Sequence, residues 1–256
     1  MDEHPQNGVF HELPAGHIVS KRTQLLFARI SRRYDLANDV LSCGAHRLWR
    51  KKLLDAAKLG PKQVILDLCT GTGDVALLAS RKTGPQGQVL ALDCTAEMLA
   101  IAQAKRSKLM SHKALSSLCA PIFFLRSDAL RLPLADSSVD RVVIAFGIRN
   151  VEDPLHCLKE TFRVLRPGGR LAIVEFGQLD AGFLKPCLAF YLNHLLPQIA
   201  ALITGDRAAY DYLSRSSLAF PSGAAFAAML TEAGFLRTQA ASLFPGFAFL
   251  YGAERP

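Results

Sequence analysis

The feature that most limits the possible folds is a short apolar run that ends in a glycine-rich turn. The run spans Val64–Leu68, has one acid, Asp67, inside it, and is followed by a turn containing Gly71 and Gly73. Such a run is typical of a buried parallel strand, and the glycines predict a tight turn into a helix that begins near Asp74. Because glycine has no Cβ, this turn lets the backbone approach a ligand closely.

Two classes of ligand use a turn of this kind, namely dinucleotides and S-adenosylmethionine. A dinucleotide fingerprint has a third glycine where this chain has Ala76, which is a weaker match. Asp67 favours the second class, because an acid there would repel a pyrophosphate but suits the cationic amino group of a methionine moiety. The next apolar run, 88–93, ends in Asp93, which is placed to accept hydrogen bonds from ribose hydroxyls in either ligand. The residues alone leave open a third interpretation, an ordinary turn in which Asp74 caps a helix.

Composition narrows the class of protein without selecting a partner. The chain has 256 residues, 50% of them apolar and 20% charged, which is typical of a globular protein of one large or two small domains. A net charge of +8 makes anionic partners or membrane headgroups plausible. The basic residues are scattered and match no zinc-finger or RNA-binding signature, so we expect no nucleic-acid partner.

The cysteines and the apolar segments indicate a protein of a reducing compartment. Six cysteines lie far apart without a Cys-x-x-Cys pair, so we expect neither a metal site nor disulfides, and free thiols in the cytoplasm. The first twenty residues do not resemble a signal peptide. The longest apolar region, Phe183–Ile203, is interrupted by polar residues and prolines, so we expect a soluble or peripheral protein rather than a spanning one.

The N-terminal part is predicted to be helical after a loose tail of residues 1–20. A helix is expected from Lys21, with a break at Gly44 and a further helix to Leu59. Polar residues and the only tryptophan, among them His46 and Trp49, fall on one face of the segment. They fit either a cover over a site or a surface helix with a satisfied histidine.

The remainder of the chain reads as strands alternating with helices. Five such repeats predict a doubly wound parallel sheet that binds its ligand across the carboxyl ends of the strands. Residues 166–169 are expected to form a turn before the fifth strand, and a helical insertion begins near residue 183. Two closing strands, Leu236–Leu243 and Gly246–Tyr251, suit an antiparallel hairpin at the sheet edge.

Polar residues follow several of these strands and are candidates for a site. Asp128 comes directly after the third strand, where it can accept the exocyclic amine of adenine or simply serve as a turn residue. Arg149 and Asn150 follow the fourth strand, and Glu175 ends the fifth. In open α/β sheets these positions meet in one crevice.

Two longer motifs make the chain similar to a known family. It resembles the class I S-adenosylmethionine-dependent methyltransferases and, among them, the family that C-methylates quinone precursors in menaquinone and ubiquinone biosynthesis. The matching residues are Tyr34, Asp35, Asn38, Ser42, Gly44, His46 and Trp49, the run 163–169 through Glu175, the run 146–150, and Gly234-Phe235. Ala37, Cys69, Ala145, Arg166 and Gly177 depart from the family pattern.

The resemblance implies an architecture and a cofactor. It implies a Rossmann-like, mostly parallel seven-stranded sheet with an antiparallel edge hairpin, in a single methyltransferase domain of residues 21–256. Residues 21–60 would be a helical cover and 183–215 a helical insertion. The cofactor so implied is S-adenosylmethionine, without a metal.

It also implies roles for matching positions around that cofactor. Gly71, Thr72 and Gly73 would lie beside the methionine part, next to Asp67, which its charge already made a candidate partner of the amino group. Asp93 would hold the ribose, and Asp128 with the amide of Ala129 would hold the adenine. Ala145 stands where some members have a serine near the cofactor, which removes a polar contact there.

The implied reaction is methyl transfer to a ring carbon of a reduced demethylmenaquinone, a polyprenylated quinol. We expect Arg149 to act as an electrostatic partner of the ionised quinol, His46 as a base and Asn150 as a further catalytic residue. Methylation of the ubiquinone precursor 2-methoxy-6-polyprenyl-1,4-benzoquinol, or of both quinols, is an alternative. A nucleotide-binding oxidoreductase and an inactive cofactor-binding scaffold are more remote ones. Because the substrate is a lipid, we expect a cytoplasmic protein with peripheral membrane contact, in which the insertion forms an apolar wall. The sequence does not indicate an oligomeric state.

Overall fold

The computed structural model describes residues 18–42, 44–111, 116–180, 182, 185–191, 195, 198–199, 216–217 and 219–256. Residues 1–17 of the predicted tail and most of the predicted insertion lie outside these residues. Within them, the helices are α1 (Ile18–Leu41), α2 (Ala45–Ala56), α3 (Asp74–Thr83), α4 (Ala96–Met110), α5 (Pro154–Val164), α6 (Lys185–Phe190) and α7 (Ala224–Glu232). The strands are β1 (Val64–Leu68), β2 (Gln88–Asp93), β3 (Ile122–Arg126), β4 (Val139–Ala145), β5 (Leu165–Phe176), β6 (Leu236–Leu243) and β7 (Ala248–Glu254).

The strands form one seven-stranded sheet in the order β3-β2-β1-β4-β5-β7-β6. The first five strands are parallel, and β7 is antiparallel to both of its neighbours. The central strands are buried on both faces, which explains why they are apolar without alternation. The predicted mostly parallel, Rossmann-like sheet with an antiparallel edge hairpin is confirmed.

Buried side chains form one apolar cluster on each face of the sheet. Phe226, Phe235 and Tyr251 lie in the cluster that includes α5 and α7. Trp49 lies in the other, where its ring contacts the rings of Phe146, Phe176 and Phe247. The indole N–H of Trp49 also donates to the carbonyl of Phe244. The only tryptophan of the chain therefore fastens α2 to the sheet and to its closing hairpin.

Local signals explain several element boundaries. Asp153 caps α5 by accepting from the amide of His156, and Pro154 occupies the first turn. The break predicted at Gly44 separates α1 from α2, and this glycine has φ 76°. The helix α1 begins at Ile18, three residues before the predicted start. The helix α2 ends at Ala56 rather than Leu59, because the chain turns with Lys58 at φ 50°.

Two sequence predictions about the sheet are wrong. The segment 166–169 belongs to β5 rather than to a separate turn, because Gly168 donates to Arg255 and Arg255 donates to Gly169. In the same region the pairing of β5 with β4 changes register, and Gly168 has φ 74°. The regular strand–helix alternation also fails once, since the described residues 127–138 between β3 and β4 contain turns and no helix.

None of the helices in the described parts of the chain is both long and apolar enough to span a bilayer.

Candidate active site

A cavity lies at the carboxyl ends of the parallel strands, where sequence reasoning placed the site. It encloses about 900 Å³ of space, counting its open mouth. Its walls come from residues after β1, β2, β3 and β4 and from the inner face of α1. Of the predicted cofactor residues, those lining the cavity are Gly71, Asp93, Asp128, Ala129 and Ala145.

The glycine turn forms one wall and is held in a left-handed conformation. Gly71 and Gly73 have φ of 56° and 81°, which favours glycine at both positions. A Cβ on Gly73 would lie 2.8 Å from the Cβ of Ala102, so this glycine also lets α3 approach α4. Cys69 and Phe146, which follow β1 and β4, are non-glycine residues with φ near 60°. Backbone in this region is strained, and such residues are concentrated at functional sites.

Asp93 links the glycine turn to the end of β2. Its carboxylate accepts from the amide of Gly71 at 2.8 Å and from the amide of Thr95 at 2.9 Å. Burial raises the pKa of Asp93, and these backbone hydrogen bonds oppose that rise. Asp93 lines the cavity, and carboxylate oxygens can accept more than one hydrogen bond each, so this residue can accept from a pair of vicinal hydroxyls.

Asp128 and Ala129 form the wall after β3, as predicted. One carboxylate oxygen of Asp128 accepts from the amide of Leu130 at 2.9 Å, which fixes the turn. Met98 and Leu130 add apolar surface beside them. An apolar slot with one carboxylate at its end suits a flat aromatic ring that carries an amino group.

Asp67 is buried behind the glycine turn and does not line the cavity. One of its oxygens accepts from the hydroxyl of Thr70 at 2.6 Å, and Oδ1 has no hydrogen-bond partner. Desolvation by burial raises its pKa to about 7, against the lowering effect of the Thr70 hydrogen bond. The amide of Ala76 also lowers the pKa, and a positive charge nearby would lower it further, so Asp67 favours a cationic ligand group across the glycine turn without contacting it.

The N-terminal helix α1 covers the cavity. Thr23, Gln24, Phe27 and Tyr34 on its inner face contribute to the cavity walls. Burial raises the pKa of Tyr34, and a hydrogen bond with Asn38 opposes the rise. The sequence left two interpretations of this segment, and the structure has a feature of each, because α1 lines the cavity whereas His46 is hydrogen-bonded away from it.

A polar network fastens α1 to the glycine turn. The hydroxyl of Thr72 donates to Asp35 at 2.7 Å, and Lys105 of α4 bridges Asp35 and Asp74 at 2.6 Å each. Thr72 therefore faces α1 and does not line the cavity. Sequence reasoning missed Asp35 and Lys105. Asp35 belongs to the matched N-terminal motif, which was its only signal.

His46 lies in α2 and does not line the cavity. Its side chain is buried, with Nδ1 2.7 Å from the hydroxyl of Ser42 and Nε2 3.5 Å from Asp39. Burial, followed by the charge of Arg50, lowers the pKa of His46 to about 4. The imidazole is therefore neutral at pH 7 and is a weak base in this arrangement. Its catalytic role stays a prediction.

Arg149 forms a buried ion pair with Glu175 behind the cavity wall. The guanidinium also donates to the carbonyl of Phe146 at 2.8 Å and lies 5.1 Å from the ring centre of Phe176. The backbone amide of Arg149 donates to the second oxygen of Glu175. Arg149 does not line the cavity, whereas its neighbour Asn150 does. The sequence predicted that Arg149 and Glu175 share this edge of the sheet, but not that they pair.

At Gly147, the chain that follows β4 passes close to the chain that follows β1. A Cβ at this position would lie 2.3 Å from the Cβ of Cys69, so only glycine fits.

Among the described residues there is no cluster of three or more His, Cys, Asp or Glu side chains that suits a metal ion. Cys69, Cys94, Cys119 and Cys157 are free thiols.

This sheet order, with a glycine turn after β1 and carboxylates after β2 and β3, defines the class I S-adenosylmethionine-dependent methyltransferases. The residues present fit that cofactor, because its hydroxyls, amino groups and flat base match the acceptors and the apolar slot described above. Solved structures of the class are similar in fold. An S-adenosylmethionine-dependent methyltransferase from Aquifex aeolicus superimposes with a TM-score of 0.57, at 24% identity over 80% of this chain and 88% of its own. A methyltransferase from Thermotoga maritima superimposes with a TM-score of 0.58, at 20% identity over 91% of this chain and 100% of its own.

Sequence comparison identifies the family within this class. The profile of the ubiE/COQ5 methyltransferase family matches residues 17–253. The ubiquinone/menaquinone biosynthesis C-methyltransferase UbiE of Bdellovibrio bacteriovorus is 40% identical over 88% of this chain and 92% of its own. The demethylmenaquinone methyltransferase of Deinococcus radiodurans is 40% identical over 91% of this chain and 92% of its own. The chain belongs to the ubiE/COQ5 methyltransferase family, and the predicted resemblance, methyltransferase activity and cofactor are confirmed.

Proposed function

We propose that the protein transfers a methyl group from S-adenosylmethionine to a ring carbon of demethylmenaquinol, giving menaquinol and S-adenosylhomocysteine. The observation that carries this substrate is the 40% identity, over 91% of the chain, to a demethylmenaquinone methyltransferase. The UbiE relatives are named for both quinones, so the ubiquinone precursor 2-methoxy-6-polyprenyl-1,4-benzoquinol is the second candidate substrate.

The proposed cofactor contacts follow the cavity walls. Asp93 accepts from the ribose hydroxyls, and Asp128 with the amide of Ala129 holds the adenine amine and ring. The backbone of Gly71 and Gly73 lies beside the methionine part. These roles are supported by the lining of the cavity and by the hydrogen bonds that fix both carboxylates.

Three further residues support the cofactor site without a polar contact to the cofactor. Asp67 attracts the amino group of the methionine part, which its buried oxygen without a partner supports. Thr72 joins the glycine turn to the cover helix through Asp35. Ala145 supplies an apolar wall in place of a polar contact.

When bound, the cofactor supplies an electrophilic methyl group on a sulfonium ion. The tasks of the protein are therefore to align the ring carbon, to exclude water and to favour the ionised quinol. Phe27, Tyr34 and Phe146 enclose the cavity with aromatic surface, which suits a flat ring. Arg149 lies just behind Phe146 with its charge balanced by Glu175, so this ion pair offers the quinolate a dipole rather than a free positive charge, with Asn150 as the polar group at the wall.

Removal of the quinol proton requires a base, and the predicted base does not lie at the cavity wall. His46 is neutral, buried and away from the cavity walls, so it acts as the base only if α1 and α2 rearrange. The polyprenyl tail extends from the cavity mouth toward a membrane that the protein contacts peripherally. The apolar insertion near residue 183 is the proposed wall for this tail, and its described residues include the short helix α6.

The test is a methyl-transfer assay with labelled S-adenosylmethionine and both chemically reduced quinols, offered separately. Label in menaquinone supports the proposal, and label in the ubiquinone product supports the second candidate. Asp93→Asn should lose cofactor binding, whereas Asp55→Asn, at an exposed carboxylate of α2, should retain it. Label in neither quinol, with cofactor binding intact, would remove the substrate assignment.

A further inference from the structure

The outward face of α1 combines large apolar and basic side chains. Exposed residues recur at intervals of three or four along the helix, so they form one stripe. Leu25 is 68% exposed and Leu36 is 57% exposed. The stripe comprises Leu25, Arg29, Arg32, Leu36 and Val40.

Further exposed apolar and basic side chains lie on α2, which the Arg47–Asp39 ion pair joins to the end of α1, and at the tip of the closing hairpin. Leu48 of α2 is 55% exposed and is followed by the exposed Lys51 and Lys52. Phe244 is 79% exposed, and its carbonyl accepts from Trp49 of α2, so the hairpin tip lies beside this helix. We call the exposed side chains of α1, α2 and Phe244 the outer face.

Positive charge is concentrated in these two helices. Residues 18–56 contain nine Lys and Arg residues and three Asp residues, a net charge of +6 when the whole chain carries +8. Each of the three acids already pairs with a base, which are Lys105 for Asp35, Arg47 for Asp39 and Lys82 for Asp55. Arg50 is buried and pairs with Asp74, whereas the exposed bases among the described side chains of these helices are Arg29, Arg32, Arg33, Arg47, Lys51 and Lys52. The outer face therefore presents apolar groups within a positive surface.

We propose that the outer face docks the protein onto an anionic membrane surface. Helices that lie in the membrane interface have this composition, with leucine or phenylalanine entering the headgroup region and lysine or arginine contacting anionic lipid. Exposed leucines along the stripe favour a lipid surface over nucleic acid, whose phosphates need only the charges.

The opposite side of α1 lines the cavity, so docking through the outer face would place the cavity next to the membrane. Phe27 and Tyr34 face the cavity while Leu25 and Leu36 face outward on the same helix. A protein docked through the outer face holds its cavity cover at the membrane, where a lipid-soluble quinol is concentrated. This use rests on the proposed function, whereas the docking itself does not.

The test is sedimentation of the full chain with vesicles of phosphatidylcholine alone or with a quarter phosphatidylglycerol. The protein should bind the anionic vesicles, and more weakly at high salt. Each basic residue near an anionic surface strengthens binding roughly fivefold, so Arg32→Gln/Lys51→Gln/Lys52→Gln should weaken it on the order of 100-fold. Leu25→Gln/Leu36→Gln/Leu48→Gln should weaken it at least about tenfold, because the leucines lose their apolar contact.

Matched control variants place equal changes elsewhere on the surface. Arg81→Gln/Arg131→Gln/Lys159→Gln removes three exposed charges, and Leu118→Gln/Phe123→Gln/Leu236→Gln replaces three exposed apolar residues. Both should bind like the parent protein. Equal losses in the controls, no binding by the parent, or dependence on the charges but not on the leucines would each overturn the proposal. Methyl transfer to a short-chain, water-soluble quinol tests the proposed function separately, and the outer-face variants should retain it.

Discussion

Asp67→Asn should stabilise the protein without cofactor and weaken cofactor binding. The carboxyl of Asp67 is 1% exposed, and burial raises its pKa from 3.8 to about 7. A carboxyl whose pKa is higher in the folded state holds its proton more tightly there than in the unfolded chain. Stability is therefore lost as the pH rises from about 4 to about 7, because the unfolded chain ionises first.

The size of this effect follows from the two pKa values. Full ionisation of Asp67 costs roughly 4 kcal/mol, at about 1.36 kcal/mol for each pK unit. Between pH 5 and pH 8 the wild type should lose roughly 2.5 kcal/mol that the Asp67→Asn variant does not lose. The amide keeps an oxygen that can accept from Thr70, so the local hydrogen bond survives the change.

Denaturant unfolding of both proteins at stepped pH measures this difference directly, since all other titrating groups are shared. Titration calorimetry at pH 8 should show weaker binding of S-adenosylmethionine by the variant, by about 2 kcal/mol or roughly 30-fold. Parallel stability curves would refute the raised pKa. Unchanged affinity would refute the attraction between Asp67 and the cofactor amino group.

Three further changes test other parts of the site. Because the pKa of His46 is about 4 in the folded state, stability should fall by up to about 3 kcal/mol as the pH drops from about 6.5 toward 4. His46→Gln should abolish that loss in stepped-pH unfolding, and an unchanged slope would argue against a buried neutral imidazole. Arg149→Ala should cost about 3–5 kcal/mol by leaving Glu175 buried without a partner, and Arg149→Ala/Glu175→Gln should recover most of it in thermal unfolding without recovering methyl transfer. Recovered turnover would limit the Arg149–Glu175 pair to a structural role. Gly147→Ala should cost about 1–3 kcal/mol through its contact with Cys69, and Cys69→Gly in the same chain should restore stability in a double-mutant cycle. Additive effects would mean that the two side chains do not clash.

The parallel sheet could be predicted because its signal is local. A strand buried on both faces must be apolar throughout, so β1 and β4 stand out in the sequence. The start of β5 could not be predicted, because the pairing of Gly168 and Gly169 with Arg255 joins residues far apart in sequence. The missing helix between β3 and β4 also depends on distant residues, because Glu160 and Arg163 of α5 hydrogen-bond the backbone of Leu132 and Leu134 there.

Part of the candidate site could be predicted for a geometric reason. Parallel strands end at one edge of the sheet, so Asp93 and Asp128 meet at the cavity although 35 positions separate them in the numbering. Thr72 also follows β1, yet it turns toward Asp35 of the cover helix. Proximity to a strand end thus predicts the neighbourhood of a side chain but not the direction in which it points.

By itself, the sequence determined the sheet, the glycine turn, the acids at the strand ends and the resemblance to a methyltransferase family. Each of these depends on residues that are close in sequence or on the period of a single element. Only the tertiary structure decided that α1 covers the cavity, that His46 is buried and neutral, and that Arg149 is paired with Glu175 behind the wall. These properties arise from desolvation and from charges contributed by different elements, and such effects exist only once the elements pack together.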